Sequence, residues 1–341
     1  MKIPLNKGVT TGLGIVLVIL IPLVVRDRFL VATLIESGIW CLFAIGFAAV
    51  FRVGQISMGQ AAFMSIGGYT AGLMSADLGL SIWLTLPAAG VAAGLVACLL
   101  GLVVLRIGGL YFAIATLAFG EIITIISRNW SAVTQGPTGI ALPVPDDISV
   151  GGLVISFSRS ALPFYYLTAA LVAVAAVIFW RIDRSRQGRI TRSVAENDIL
   201  SEHLGMHLMK YRVIMFTLGA FFTGVGGALY VHYLYWEGPP LFTGAQSFAV
   251  MMMCVVGGIN SSVVGPVLGA ILLTVSGTYM GILFEGLRPL SYGLLVLAVI
   301  WLLPNGMMDM KSLLTRLGRG NRSEVPLETR SCRERGGEMR E

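Results

Sequence analysis

Charge is what this sequence has least of. Only 12% of its 341 residues are Asp, Glu, Lys or Arg, against about 25% in soluble domains. A water-soluble core cannot absorb the matching excess of apolar side chains, 56% of the chain, without large apolar patches on its surface. Histidine is nearly absent. His203 and His207 are four apart, but Gly205 between them breaks any shared helix face, and His232 is remote, so no metal site forms from them. Cys41, Cys98, Cys254 and Cys332 have no metal spacing and read as small hydrophobes or bystanders. No G-x-x-x-x-G-K-[ST] loop is present to cradle nucleotide phosphates, and neither H-E-x-x-H nor G-x-S-x-G appears. The expectation is a chain that is not an enzyme and holds no cofactor.

Long apolar runs fill the space that charge leaves. GIVLVILIPLVV and LLVLAVIWLL do not alternate, which excludes the ten-residue alternation of a membrane barrel. A helix needs about 20 mostly apolar residues to cross a bilayer. Apolar stretches lie at about 9–25, 30–50, 60–77, 82–105, 109–128, 161–180, 212–233, 246–259, 263–284 and 288–303. The expected fold is all-α: a polytopic helical membrane bundle of about ten segments, one of them either re-entrant or spanning. The stretch Val9–Val25 is long for a signal peptide, and Arg26-Asp27-Arg28 follows it in place of a small-residue cleavage site.

Basic residues set the orientation. With the N-terminus inside, about 19 of the 24 Lys and Arg fall on the cytoplasmic side, leaving Arg26, Arg28, Arg128, Arg159 and Arg288 outside. Both termini are then cytoplasmic. The net charge of +6 reads as this bias and not as nucleic-acid binding. The transmembrane domain is expected over residues 1–310, with an outer loop at 129–160 and a cytoplasmic loop at 181–211. The tail 311–341 is polar, mixed in charge and poor in aromatics, and is expected to be disordered. A possible internal repeat pairs GQISMGQAAFMSIGGY (54–69) with GGINSSVVGPVLGAIL (257–272); repeats of this kind build many transporters, and chance likeness between Gly-rich membrane segments is the alternative.

The cytoplasmic loop contains SVAENDILSEHLGMHLMKYR (193–212). Ser193 and Glu196 have the spacing of a capping box, and Gly205 is placed to end a helix. The spacing predicts a helix of about eleven residues, roughly 16 Å long, too short to span. It has an apolar stripe (Val194, Ile199, Leu200, Leu204) and an acidic one (Glu196, Asp198, Glu202). Either it merely connects two spans at the interface, or it docks a soluble partner through its apolar face.

This segment resembles the coupling helix of an ABC-transporter permease: Glu196 and Gly205 match the pattern, while Leu200 and Ser201 stand where two alanines are usual. GQISMGQAAFMSIGGYTAGLM (54–74), LRIGGLYFAIATLAFGEI (105–122), NWSAVTQGPTGI (129–140), TGVGGALYVHY (223–233) and VVGGINSSVVGPVLGA (255–270) come in the order of the LivM-type permease of branched-chain amino acid importers. The resemblance covers about residues 30 to 310. It implies a bacterial inner-membrane subunit that pairs with a second permease, two cytoplasmic ATP-binding subunits that hold the ATP, and a periplasmic binding protein. Coupling residues would be Glu196, Asp198, Leu200, Ser201 and Gly205. Related permeases also resemble those for urea, short-chain amides and aromatic acids.

Polar residues in apolar surroundings are the candidates for a translocation path. Gln55, Ser57, Gln60 and Asn260 lie in Gly-rich stretches that suit a path lining or, for the small residues, helix contacts. Thr116 is easily satisfied by its own backbone. Glu121, in LAFGEIITII, is a functional candidate as an intramembrane acid, or else is hydrogen-bonded near a helix end. Gly136, Pro137 and Gly139 begin the outer loop, as a plain turn or as part of the surface receiving a binding protein. An ion-coupled carrier would need acids near the bilayer midplane, where the sequence offers only Glu121.

Overall fold

A computed structural model describes residues 27–145, 148–150, 153–155, 161–258 and 263–283, with positions 293 and 297. The segments expected at 9–25 and 288–303, the tail and Asn260 lie outside the described residues.

In a medium without water every backbone N–H and C=O must be satisfied within the segment, so the apolar runs become helices. They are α1 (Arg28–Phe51), α2 (Gln60–Ala76), α3 (Ile82–Val104), α4 (Gly109–Asn129), the short α5 (Ser131–Thr134), α6 (Leu162–Arg184), α7 (Arg186–Glu196), α8 (Asp198–His203), α9 (Leu208–Leu234), α10 (Gly244–Gly257) and α11 (Val264–Leu283). Eight of these match expected segments to within a few residues. α1, α3, α4, α6, α9 and α11 are long and apolar enough to cross a membrane; α2 and α10 are shorter, at 17 and 14 residues.

α9 is the axis of the bundle and packs on α1, α2 and α3. Glycines set that contact. A Cβ at Gly67 of α2 would lie 2.2 Å from the carbonyl oxygen of Gly224 in α9, and one at Gly46 of α1 would lie 2.6 Å from that of Gly219. Lipid supplies no hydrophobic drive between helices, so close backbone approach of small residues supplies the van der Waals contact. The same holds between α10 and α11, where Gly257 meets Gly265 and Gly269. Around the axis, Phe216 of α9 meets Phe63 and Phe112 edge-on, at centroid distances of 5.4 and 5.8 Å.

α3 and α4 expose long apolar faces: Val91, Leu95, Leu99 and Leu102 on one, Leu110, Ile114, Ile122 and Ile125 on the other. Such a patch needs lipid or another apolar chain against it.

Beyond helices, only short strands occur among the described residues. β1 (Ile140–Ala141) pairs antiparallel with β4 (Trp236–Glu237), and β2 (Ile148–Val150) with β3 (Leu153–Ile155). The first pair clasps the 129–160 loop to the end of α9.

Candidate functional site

The charged insert is two helices and not one. Ser193 does not cap. It lies inside α7, where its hydroxyl donates to the Arg189 carbonyl. The break falls at Asn197, whose backbone is extended and whose side chain accepts from the Leu200 amide at 3.0 Å, starting α8 at Asp198. An Asn-Asp pair ahead of an apolar run was the signal for this start. The stop is where the sequence placed it. Gly205 takes φ +76°, and Met206 N–H donates back to Ser201 C=O, the closure a left-handed glycine permits.

Of the coupling candidates, Glu196, Asp198, Leu200 and Gly205 are exposed and Ser201 is buried. Ile199 and Leu204 are exposed beside Leu200. α8 is anchored from beneath: Asp198 pairs with Arg212 of α9. α7 rests on the bundle at two glycines. A Cβ on Gly54 would come within 3.3 Å of the Ala195 Cα, and one on Gly188 within 2.6 Å of the Asp183 Cα. Asp183 in turn pairs with Arg52 at 3.1 Å.

Gly54 opens the connection from α1 to α2, and there the structure brings Gln55, Ser57, Gln60 and Thr116 together, all buried. Met58 N–H donates to Thr116 Oγ1 at 3.0 Å. Thr223 Oγ1 donates to Gln60 Oε1 at 3.0 Å, and Ala61 N–H to Ser247 Oγ at 2.9 Å. The Gln55 Oε1 is buried without a protein partner among the described residues. Thr223 and Ser247 carry no signal in the sequence; only packing brings α9 and α10 to this point. Glu121 is elsewhere. It is exposed on α4, its carboxylate facing the start of α10 at Gly244.

At the opposite end of the bundle, Gly136 is buried and Pro137 exposed. Trp236 Nε1 donates to the Thr138 carbonyl at 3.1 Å. Gly139 has φ +71°, and a Cβ there would fall 2.2 Å from the Glu237 carbonyl oxygen. Glu237, a lone acid between apolar runs, is absent from the residues expected to form a site. Its side chain is fully buried, and neither carboxylate oxygen has a partner among the described residues. Burial pushes its carboxyl well above the ordinary carboxylate range. Among the described residues, no three His, Cys, Asp or Glu side chains gather within reach of one metal ion.

Residues 29–303 match the family described as "Branched-chain amino acid transport system / permease component". The "High-affinity branched-chain amino acid transport system permease protein LivM" of Escherichia coli (strain K12) is 32% identical over 93% of this chain and 80% of its own length. Its namesake from Salmonella typhimurium (strain LT2) is 32% identical over 80% of this chain and 68% of its own. No solved structure matches. The chain therefore belongs to the permease-component family of branched-chain amino acid transport systems.

Proposed function

We propose that the chain is the permease subunit of an ATP-driven importer that carries branched-chain amino acids across the bacterial inner membrane into the cytoplasm. The substrate class rests on the names of its relatives. The orientation rests on the basic residues: with about 19 of 24 inside, the α7–α8 end and both termini are cytoplasmic, and the chain crosses about ten times.

The observation that carries the reading is α8. A short helix capped at both ends presents Ile199, Leu200 and Leu204 to solvent, while Asp198–Arg212 and the α7 contact at Gly54 root it in the bundle. Apolar side chains held out on a fixed helix form a face for a groove in a partner. The partners are two cytoplasmic ATP-binding subunits, which hold the ATP; this chain holds no cofactor. A second permease covers the apolar faces of α3 and α4. A periplasmic binding protein delivers substrate to the loop bearing Gly136, Pro137 and Gly139.

The mechanism is alternating access. Closure of the ATPases displaces α8 and α7. Because Ala195 abuts Gly54, the displacement passes to the connection that holds Gln55, Ser57 and the start of α2. Rearranging those buried polar groups exchanges their partners and opens one side of the bundle as the other closes.

The test is uptake of labelled leucine into vesicles holding the chain with its partner subunits and binding protein. Uptake should require ATP, and valine and isoleucine should compete. ATP-independent uptake driven by an ion gradient would replace this reading with a secondary carrier. Competition by urea, acetamide or benzoate in place of the amino acids would keep the architecture and change the substrate.

A further inference from the structure

We infer that Glu237 receives the ammonium group of the transported amino acid where the β1–β4 clasp closes the outer end of the bundle. This deepens the amino-acid reading above and rests on it.

Glu237 lies in β4, paired with Ile140 of the outer loop, and its side chain turns inward onto α2. One carboxylate oxygen sits 2.5 Å from the position a Cβ would take on Gly68, so it rests against helix backbone at a place only glycine leaves open. The next residue, Tyr69, interacts electrostatically with Glu237. Both Glu237 oxygens are buried without a hydrogen bond among the described residues, whereas the Tyr69 hydroxyl also faces Ser127 of α4. Two unsatisfied carboxylate oxygens therefore lie against the middle of α2.

Buried polar groups are nearly always partnered, and each exception calls for a reason. A buried charge without a partner costs several kcal/mol, so the acid waits as its neutral form or takes up a cation. Among the described residues the ion pairs are Arg52–Asp183 and Arg212–Asp198; none involves Glu237. An ammonium group has three donors and no acceptor, which complements a carboxylate with both oxygens unpaired. Access is built in through the clasp. Gly139 lies against the Glu237 backbone, and Trp236 holds Thr138, so a partner seated on the loop acts directly on the strand that carries the acid.

Two experiments on the assembled transporter in vesicles test this. In the first, Glu237→Gln keeps the size of the neutral acid. Leucine uptake should fall at least tenfold, while membrane abundance stays near the parent. Parent-level uptake would overturn the proposal. The second does not depend on that variant folding. Dicyclohexylcarbodiimide labelling of Glu237 is followed by peptide mass spectrometry. Leucine and isopentylamine should slow labelling at least threefold, and 4-methyl-2-oxopentanoate, which lacks the ammonium, should not. Equal rates with all three would overturn the assignment, even where the parent takes up leucine with ATP. Protection by isopentylamine alone, with no leucine uptake by the parent, would uphold the ammonium site and remove the amino-acid substrate.

Discussion

Arg52 Nη1 lies 3.1 Å from Asp183 Oδ1, with the two side chains only 11% and 6% exposed. The pair ties the end of α1 to the end of α6, the guanidinium also covers Phe179 at 5.4 Å, and α7 rests on Asp183 through Gly188. Breaking one partner removes this counter-charge from the other, which stays buried, at a cost of about 3–5 kcal/mol. Asp183→Leu and Arg52→Leu should each lower the melting temperature of the purified transporter sharply. The double variant should recover much of the loss, since it buries no lone charge. A loss in the double variant equal to the sum of the two single losses would show that the pair adds nothing beyond its two side chains.

The start of α8 gives a sharper contrast. Asn197→Ala removes the cap and should cost about 1 kcal/mol of local stability, reducing leucine taken up per ATP hydrolysed. Ser193→Ala should stay within about 0.5 kcal/mol of the parent, because Ser193 caps nothing. A reversed order in the uptake-to-hydrolysis ratio would contradict the assignment of the helix start.

Gly205 stands at φ +76° with open space around it. A valine there meets no steric wall, only the backbone penalty of about 1–2 kcal/mol for a left-handed residue. Gly205→Val and Glu196→Lys should both leave the bundle folded and lower uptake more than ATP hydrolysis. Normal coupling in both would remove this face from the docking surface.

Thr116 anchors the α1–α2 connection through the Met58 amide. Thr116→Val keeps the shape and leaves a part-buried N–H unpaired, at about 1–3 kcal/mol. Lower thermal stability with unchanged KM for uptake would assign the cluster to packing. A KM rise of several-fold at unchanged stability would place it on the path.

Glycine packing is tested by Gly67→Ala beside Gly120→Ala. The first drives a Cβ into the Gly224 carbonyl and should cost about 1–3 kcal/mol through overpacking. The second meets nothing within 4 Å and should be neutral or slightly stabilising. Membrane abundance and melting temperature read both.

The long apolar helices and their approximate limits were legible in the sequence alone, because in a bilayer a long apolar run has one way to satisfy its backbone. Gly205 was legible for the same local reason: a left-handed turn wants glycine. The family was legible too, since the order of Gly-rich motifs survives as text. Tertiary structure decided the rest. Asn197 and not Ser193 begins α8, because α7 continues straight through Ser193 while packed on Gly54 and Asp183. Thr223 and Ser247 join Gln60 and Ala61 only because α9, through glycine contacts, and α10 both pack onto α2. Glu121, the acid that stood out in the sequence, is exposed, whereas Glu237, after the end of α9, is sealed beneath a two-residue strand pair. Burial is a property of neighbours far along the chain, and no local pattern around either glutamate carries that information.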